Sequence, residues 1–216
     1  MKFDTKVIHA AIKPDPITGS ILPPLHQTAT YVLEKVGKDK GFDYTRSANP
    51  TRQMMEDHLA AIDNGKYGIA FASGMAAVDS CLKLLKAGDH VICSDDVYGG
   101  VSRYFNQILV NYDLHFTYVD SSVPANVKNA IRKETKMIWA ETPTNPLLKV
   151  TDLEAVGKIA KERNLIFGVD STFATPVFLR PLEFGADLVM HSTTKYISGH
   201  NQLIGGMVIT NREDLF

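Results

Sequence analysis

From about residue 68 to residue 210 the chain alternates short apolar runs with stretches of helical period, and this alternation constrains its fold more than any other feature. Residues 68–72 read as a strand and 75–86 as a helix; 90–93, 114–119 and 137–140 follow as strands, with helices near 101–109 and 125–132 between them. Thr151-Asp152-Leu153-Glu154 has the form of a capping box and opens a helix to about Arg163. Residues 165–169, 187–190 and 207–210 are the last strand candidates. Apolar strands alternating with amphipathic helices require a sheet covered on both faces, so the expected class is α/β with a mostly parallel sheet. There is no internal repeat and no low-complexity tract.

The first forty-odd residues differ. Pro14, Pro16, Pro23, Pro24, Gly19 and Gly41 punctuate a stretch without sustained period, which reads as an extended arm. Ile21, Leu22, Leu25, Tyr31 and Val32 are too apolar for a free tail, so the arm is expected to pack on something. The division expected is an arm over 1–45 and a ligand-binding domain over 46–216. Charge is nearly balanced, 23 basic against 24 acidic residues, which gives no hint of a nucleic-acid surface, and no nucleic-acid partner is expected. Charges at Lys2, Asp4 and Lys6 stand where a signal peptide needs an apolar stretch, and no apolar run is long enough to cross a bilayer; the expectation is a cytoplasmic protein without a membrane partner. Cys81 and Cys93 lack the spacing of a disulfide framework or a metal site and read as buried free thiols.

In sheets of this kind ligands collect at the carboxyl ends of the strands, and the chemically notable residues fall there. Ser73-Gly74-Met75 joins a strand to a helix, so Gly74 and Met75 offer free amides to a phosphate. Asp170 directly follows an apolar strand, and Tyr98 follows another with Gly99 and Gly100 beside it. The run His191-Ser192-Thr193-Thr194-Lys195-Tyr196 adds an amine and hydroxyls. Taken singly, each is an ordinary turn, packing or surface residue. Together they are the groups that hold pyridoxal phosphate. Lys195 condenses with its aldehyde, Ser192 and Thr194 bond its phosphate, and Asp170 keeps its pyridine nitrogen protonated. A condensing lysine must be neutral, which burial and nearby positive charge favour; Arg46 and Arg103 are candidate sources of that charge.

These runs resemble the pyridoxal-phosphate transsulfuration enzymes of cysteine and methionine metabolism. The resemblance rests on Asp43-Tyr44-Thr45-Arg46 through Asn49-Pro50-Thr51-Arg52, Ser73-Gly74-Met75-Ala76-Ala77 and Tyr98-Gly99-Gly100. It continues through Glu141-Thr142-Pro143-Thr144-Asn145-Pro146, Asp170 with Thr172-Phe173, and His191 to Tyr196 with Gly199-His200. It implies the large domain of a type I pyridoxal-phosphate enzyme, of the aspartate aminotransferase kind, preceded by the arm. It assigns Lys195 as the cofactor-bound lysine and proton shuttle, and Tyr98 as the residue that stacks on the ring and joins in proton transfer. Asp170 pairs with the pyridine nitrogen. Gly74, Met75, Ser192 and Thr194 go to the phosphate, Asn145 to the ring hydroxyl, and Thr172 to the cofactor set; no metal is implied. Tyr44 and Arg46 are implied to reach a neighbouring subunit's phosphate in a homotetramer built from two dimers.

The implied substrate is a small amino acid with a leaving group at the γ carbon. The reading taken is γ-replacement on an activated homoserine by cysteine, giving cystathionine. The alternatives are γ-elimination, as in cystathionine γ-lyase, and a non-catalytic cofactor-binding fragment or half of a split enzyme. A Rossmann-type nucleotide binder fits the alternation but lacks the Gly-x-Gly-x-x-Gly fingerprint. Three positions depart from common family patterns. Ser171 stands where many relatives carry asparagine, Gln202 where aspartate is common, and Gly100 where methionine γ-lyases often carry cysteine. The sequence also ends at Phe216, about halfway along the family's usual length, before the region where relatives carry the arginine that grips the substrate carboxylate.

Overall fold

The computed structural model describes residues 1–216, which form two compact units, Met1–Ile62 and Asp63–Phe216. The division by contacts therefore falls at 62/63, later than the expected 45/46. The first unit includes a helix, residues 50–62, that was not read from the sequence. Within the first unit, helix α1 (Phe3–His9) packs on helix α2 (Pro50–Ile62), and Ala10 carbonyl lies 2.6 Å from His58 Nδ1. Pro50 starts α2 instead of breaking it, because the first helical position needs no N–H partner. Asn49 completes that start: its side-chain oxygen accepts the Thr51 N–H at 2.9 Å. Between the helices the chain is irregular, as expected of an arm, with isolated bridges between Thr30 and Tyr44 and between Lys35 and Lys38. Ile21, Leu22, Leu25 and Val32 were expected to pack; in this chain they stay exposed.

The second unit is built on seven strands and five helices. In chain order these are β1 (Tyr67–Phe71), α3 (Gly74–Leu82), β2 (His90–Ser94), α4 (Gly99–Gln107) and β3 (His115–Val119), then α5 (Pro124–Asn129) and β4 (Thr135–Glu141). After them come α6 (Leu153–Arg163), β5 (Ile166–Asp170), α7 (Thr175–Phe178), β6 (Leu188–His191) and β7 (Gly206–Thr210). The strands form one sheet in the order β1-β7-β6-β5-β4-β2-β3. Strands β3, β2, β4, β5 and β6 run parallel, while β7 lies antiparallel to both β6 and β1. Being reversed twice, β1 runs in the direction of β6, so its carboxyl end opens on the same edge of the sheet.

Strands β2, β6 and β7 are buried at every position, which is why they read as continuous apolar runs with no alternation. Trp139, Phe167, Met137, Ile138, Leu188 and Ile209 fill the interior, and Phe105 of α4 stacks on Phe116 of β3 at 4.5 Å between ring centres. The capping box expected at Thr151 does not form. Asp152 caps α6, its side chain accepting the Ala155 N–H at 3.0 Å. Thr151 is instead buried, its N–H bonded to Thr142 Oγ1 and its hydroxyl paired with Ser121. Helix α3 ends at Leu82, short of the expected residue 86. No helix is long and apolar enough to cross a membrane.

Candidate active site

Three parallel strands end side by side on polar residues: β4 on Glu141, β5 on Asp170 and β6 on His191. Above the first two opens a cavity of about 350 Å³. Its polar lining is Ser73, Gly74, Tyr98, Glu141, Asn145, Asp170, Thr172, Ser192, Thr194 and Lys195, and Met75, Val78, Val101, Phe173, Met190 and Ile204 complete the wall. Every candidate site residue named from the sequence lines this cavity except Tyr44 and Arg46, which belong to the first unit.

One end of the cavity suits an anion. Ser73 is the N-cap of α3 and accepts the Ala76 N–H at 3.1 Å, which leaves the amides of Gly74 and Met75 free of intrahelical partners. Ser192 lies directly against this helix start. A Cβ built on Gly74 would sit 2.7 Å from Ser192 Cβ and 2.9 Å from its Oγ, so only glycine lets the hydroxyl and the helix terminus come together. The Ser192 N–H is held by Thr172 Oγ1 at 2.9 Å. The Thr194 hydroxyl is already engaged, donating to the Gly205 carbonyl at 3.2 Å and accepting the Gly205 N–H at 3.0 Å. It braces the loop, and must give up its carbonyl bond before it can donate to a phosphate.

The other end holds carboxyls. Asp170 is buried, its Oδ1 accepting the Thr172 N–H at 3.0 Å, with no cationic side chain in ion-pair contact. Burial raises its pKa, and the hydrogen bonds from Thr172 work against that rise. Glu141 stands opposite it in the strand register. Burial first, then the charge of Asp170, pushes the Glu141 carboxyl up to about 8, against hydrogen bonds from the Tyr98 and Asn145 amides. Glu141 had no role in the sequence reading, although it opens a quoted motif; the signal was a carboxylate closing an apolar strand. Asn145 follows between two cis bonds, Thr142–Pro143 and Asn145–Pro146.

Lys195 sits on the rim, on a turn fixed by its N–H to the Ser192 carbonyl at 3.1 Å and by Gly199 N–H to its own carbonyl at 2.8 Å. Its side chain is exposed, so burial is not what would favour the neutral amine here. Behind β6, His191 Nε2 lies 2.6 Å from Asp63 Oδ2, both residues fully buried, while His191 Nδ1 and Asp63 Oδ1 have no partner. In the first unit, the Arg46 guanidinium lies over the Tyr44 ring at 5.2 Å, and that ring is partly exposed. Cys81 and Cys93 are buried free thiols, raised by burial to about 12 in the first and well above the ordinary value in the second.

Pyridoxal phosphate fits these groups. A buried carboxyl without a cation suits its pyridine N–H, the glycine-gated helix start and Ser192 suit its phosphate, and Lys195 offers the amine its aldehyde requires. Known proteins agree. The sequence model of the family described as Cys/Met metabolism PLP-dependent enzyme matches residues 4–216. The chain is 44% identical over 214 residues to a probable cystathionine gamma-synthase of Herpetosiphon aurantiacus, covering 99% of this chain and 67% of that one. It is 47% identical over 208 residues to a cystathionine beta-lyase of Coxiella burnetii, covering 96% and 54%. Among solved structures, metB from Corynebacterium glutamicum superposes with a TM-score of 0.97 at 44% identity, covering all of this chain and 56% of that one. Cystathionine gamma-lyase from Lactobacillus plantarum, complexed with L-serine, gives 0.96 at 42% identity. The chain thus spans between about half and two thirds of the length of these relatives. With the match running over nearly its whole length, the chain belongs to the pyridoxal-phosphate-dependent enzymes of cysteine and methionine metabolism.

Proposed function

We propose that this chain is the cofactor-binding portion of a transsulfuration enzyme that carries out γ-replacement, joining cysteine to an activated homoserine to give cystathionine. Bound at this site, pyridoxal phosphate supplies an electron sink for charge developing beside the substrate amine. The chain's own residues do the rest. Lys195, which lines the cavity, would take a proton from the substrate α carbon and return it to a later carbon of the substrate. Asp170 holds a proton on the pyridine nitrogen, without which that ring accepts charge poorly. Tyr98, a half-exposed residue of the cavity lining, would stack on the cofactor's ring and shield it from water. Ser192 with the Gly74 and Met75 amides would hold the phosphate, and Asn145 would serve the ring hydroxyl.

The observation that supports this reading most is the meeting of Lys195, Asp170 and the Gly74–Ser192 contact around one cavity. Tyr44 and Arg46, stacked on each other in the first unit, are proposed to serve the site of a neighbouring copy in a homotetramer. The exposed apolar residues of the arm support an oligomer as well. γ-Elimination is the second reading, favoured by relatives named for both activities. Incubating an O-acylhomoserine with a full-length form, with and without cysteine, separates the two. Cystathionine formed only with cysteine is the expected product; keto acid and ammonia released in either case point to elimination, and neither product removes both.

A further inference from the structure

Asn145 lines the cavity from a stretch, residues 142–150, that has no strand or helix of its own. Leu147, Leu148 and Val150 stay exposed, so apolar burial does little to fix it. Hydrogen bonds fix it instead, and they converge on Thr144 and Asp96. The Thr144 N–H donates to the Lys149 carbonyl at 3.0 Å, and Thr144 Oγ1 accepts the Lys149 N–H at 2.8 Å, which closes the turn on itself. Asp96, buried on the loop after β2, holds that turn from outside. Its Oδ2 accepts the Leu147 N–H at 2.9 Å and the hydroxyl of Thr144, which is fully buried.

Thr144 and Leu147 stand on either side of Asn145 in the chain, so one carboxyl oxygen grips the turn before and after it. Asp96 is also two residues before Tyr98, which lines the same cavity. A single side chain thus joins the two loops that present Tyr98 and Asn145. Lys149 Nζ, 3.0 Å from Asp95, links the same loops, but that pair is partly exposed and holds less firmly. A turn that only had to close would not need a buried carboxyl. Thr144 and Lys149 already close it, and burying a carboxyl carries a cost.

We propose that Asp96 is a positioning residue for Asn145, holding the 144–147 turn through Thr144 and Leu147 so that the Asn145 side chain stays on the cavity wall. The proposal rests on the cofactor reading above. Its test is a titration of the full chain with pyridoxal phosphate for wild type, D96A, D96N, T144V, T144S, N145A and the double variant D96A/N145A. Quenching of Trp139, the sole tryptophan, reports affinity. The visible circular dichroism of the bound cofactor reports how its ring is seated, and melting of the cofactor-free protein reports folding separately.

D96A and T144V are expected to bind about ten-fold more weakly, the equivalent of one lost hydrogen bond to a charged group, and to lose dichroism. D96N and T144S should stay within about three-fold of wild type. Both bonds of Asp96 fall on one oxygen, which an amide can supply, and serine keeps the hydroxyl. N145A is expected to weaken binding by a similar ten-fold, about one hydrogen bond. Adding D96A to it should then cost less than about two-fold more, since the residue that Asp96 places is gone. A general loss of stability would instead weaken binding by the same factor in both backgrounds. Wild-type affinity in D96A, T144V or N145A overturns the proposal. So does a D96A loss as deep with N145A as without it, or a D96N no better than D96A. If D96A does not fold, T144V against T144S, alone and combined with N145A, decides. A wild type that binds no pyridoxal phosphate overturns the cofactor reading, and this proposal with it. Wild-type binding with unaffected variants overturns only the positioning.

Discussion

The two ends of the same sheet treat buried polar groups in opposite ways. At the amino end, His90 is fully buried at the start of β2, with Nδ1 2.8 Å from Thr135 Oγ1 and Nε2 2.9 Å from Thr117 Oγ1. Both ring nitrogens have partners, and burial lowers its pKa to about 4, so it stays neutral. At the carboxyl end, Asp170 and Glu141 face each other, buried and lining a cavity, and neither has a cation to pair with. A complete set of partners marks a structural group. A buried carboxyl beside a cavity with no cation to pair with, as Asp170 is, marks one that can receive a ligand.

Changes at the carboxyl end should reach function, and changes at the amino end should reach stability alone. The largest effect is expected for D170N, which keeps the shape and removes the charge. Turnover by a full-length form should fall by about a hundred- to a thousand-fold, the scale of losing one electrostatic partner at a reacting group. Unchanged turnover would erase the distinction between the two ends. Next comes G74A. Its Cβ would strike Ser192, so cofactor affinity measured by Trp139 quenching should drop at least about ten-fold, ~1.4 kcal/mol.

T117V tests the amino end. It leaves Nε2 of His90 buried without its partner, at a cost of about 1–3 kcal/mol in thermal melting, with cofactor affinity unchanged. His90 also gives an acid-side signature. Its folded value of about 4 lies below the unfolded 6.5, so the unfolded chain binds the extra proton and stability is lost as pH falls from 6.5 toward 4.

The smallest effect expected is on the pH profile of E141Q. The folded value of Glu141, about 8, lies above its unfolded 4.5, so the folded chain holds more protons in that window. Its contribution to stability is full below 4.5 and is lost as pH rises through about 8. E141Q should make the melting temperature of the cofactor-free protein decline less steeply over that range; Asp170, raised in the same direction, leaves part of the slope. An unchanged slope would mean that Glu141 is not the group titrating there.

The contrast between the sheet ends also explains what could be read beforehand. The parallel strands were legible because full burial writes them as apolar runs, and their order along the chain located Asp170 and the Lys195 loop at one edge. The reversed direction of β7 was not legible, since burial on both faces looks the same either way up. Helix α2 was not read from the sequence; Pro50 starts it, and Asn49 beside it accepts the Thr51 N–H. The capping box over residues 151–154 did not form because Thr151 is taken up by tertiary bonds to Thr142 and Ser121, and Asp152 caps the helix in its place. Glu141 escaped notice because its importance comes from Asp170 across the sheet, a contact that no local pattern encodes.

The account depends above all on Lys195 being the amine that engages the cofactor. Loading the chain with pyridoxal phosphate, reducing it with borohydride and mapping the modified peptide by mass spectrometry tests this directly. One pyridoxyl group is expected at Lys195, and none on that peptide in K195A. A loaded wild type with no adduct, or with the adduct on another lysine, would contradict the account.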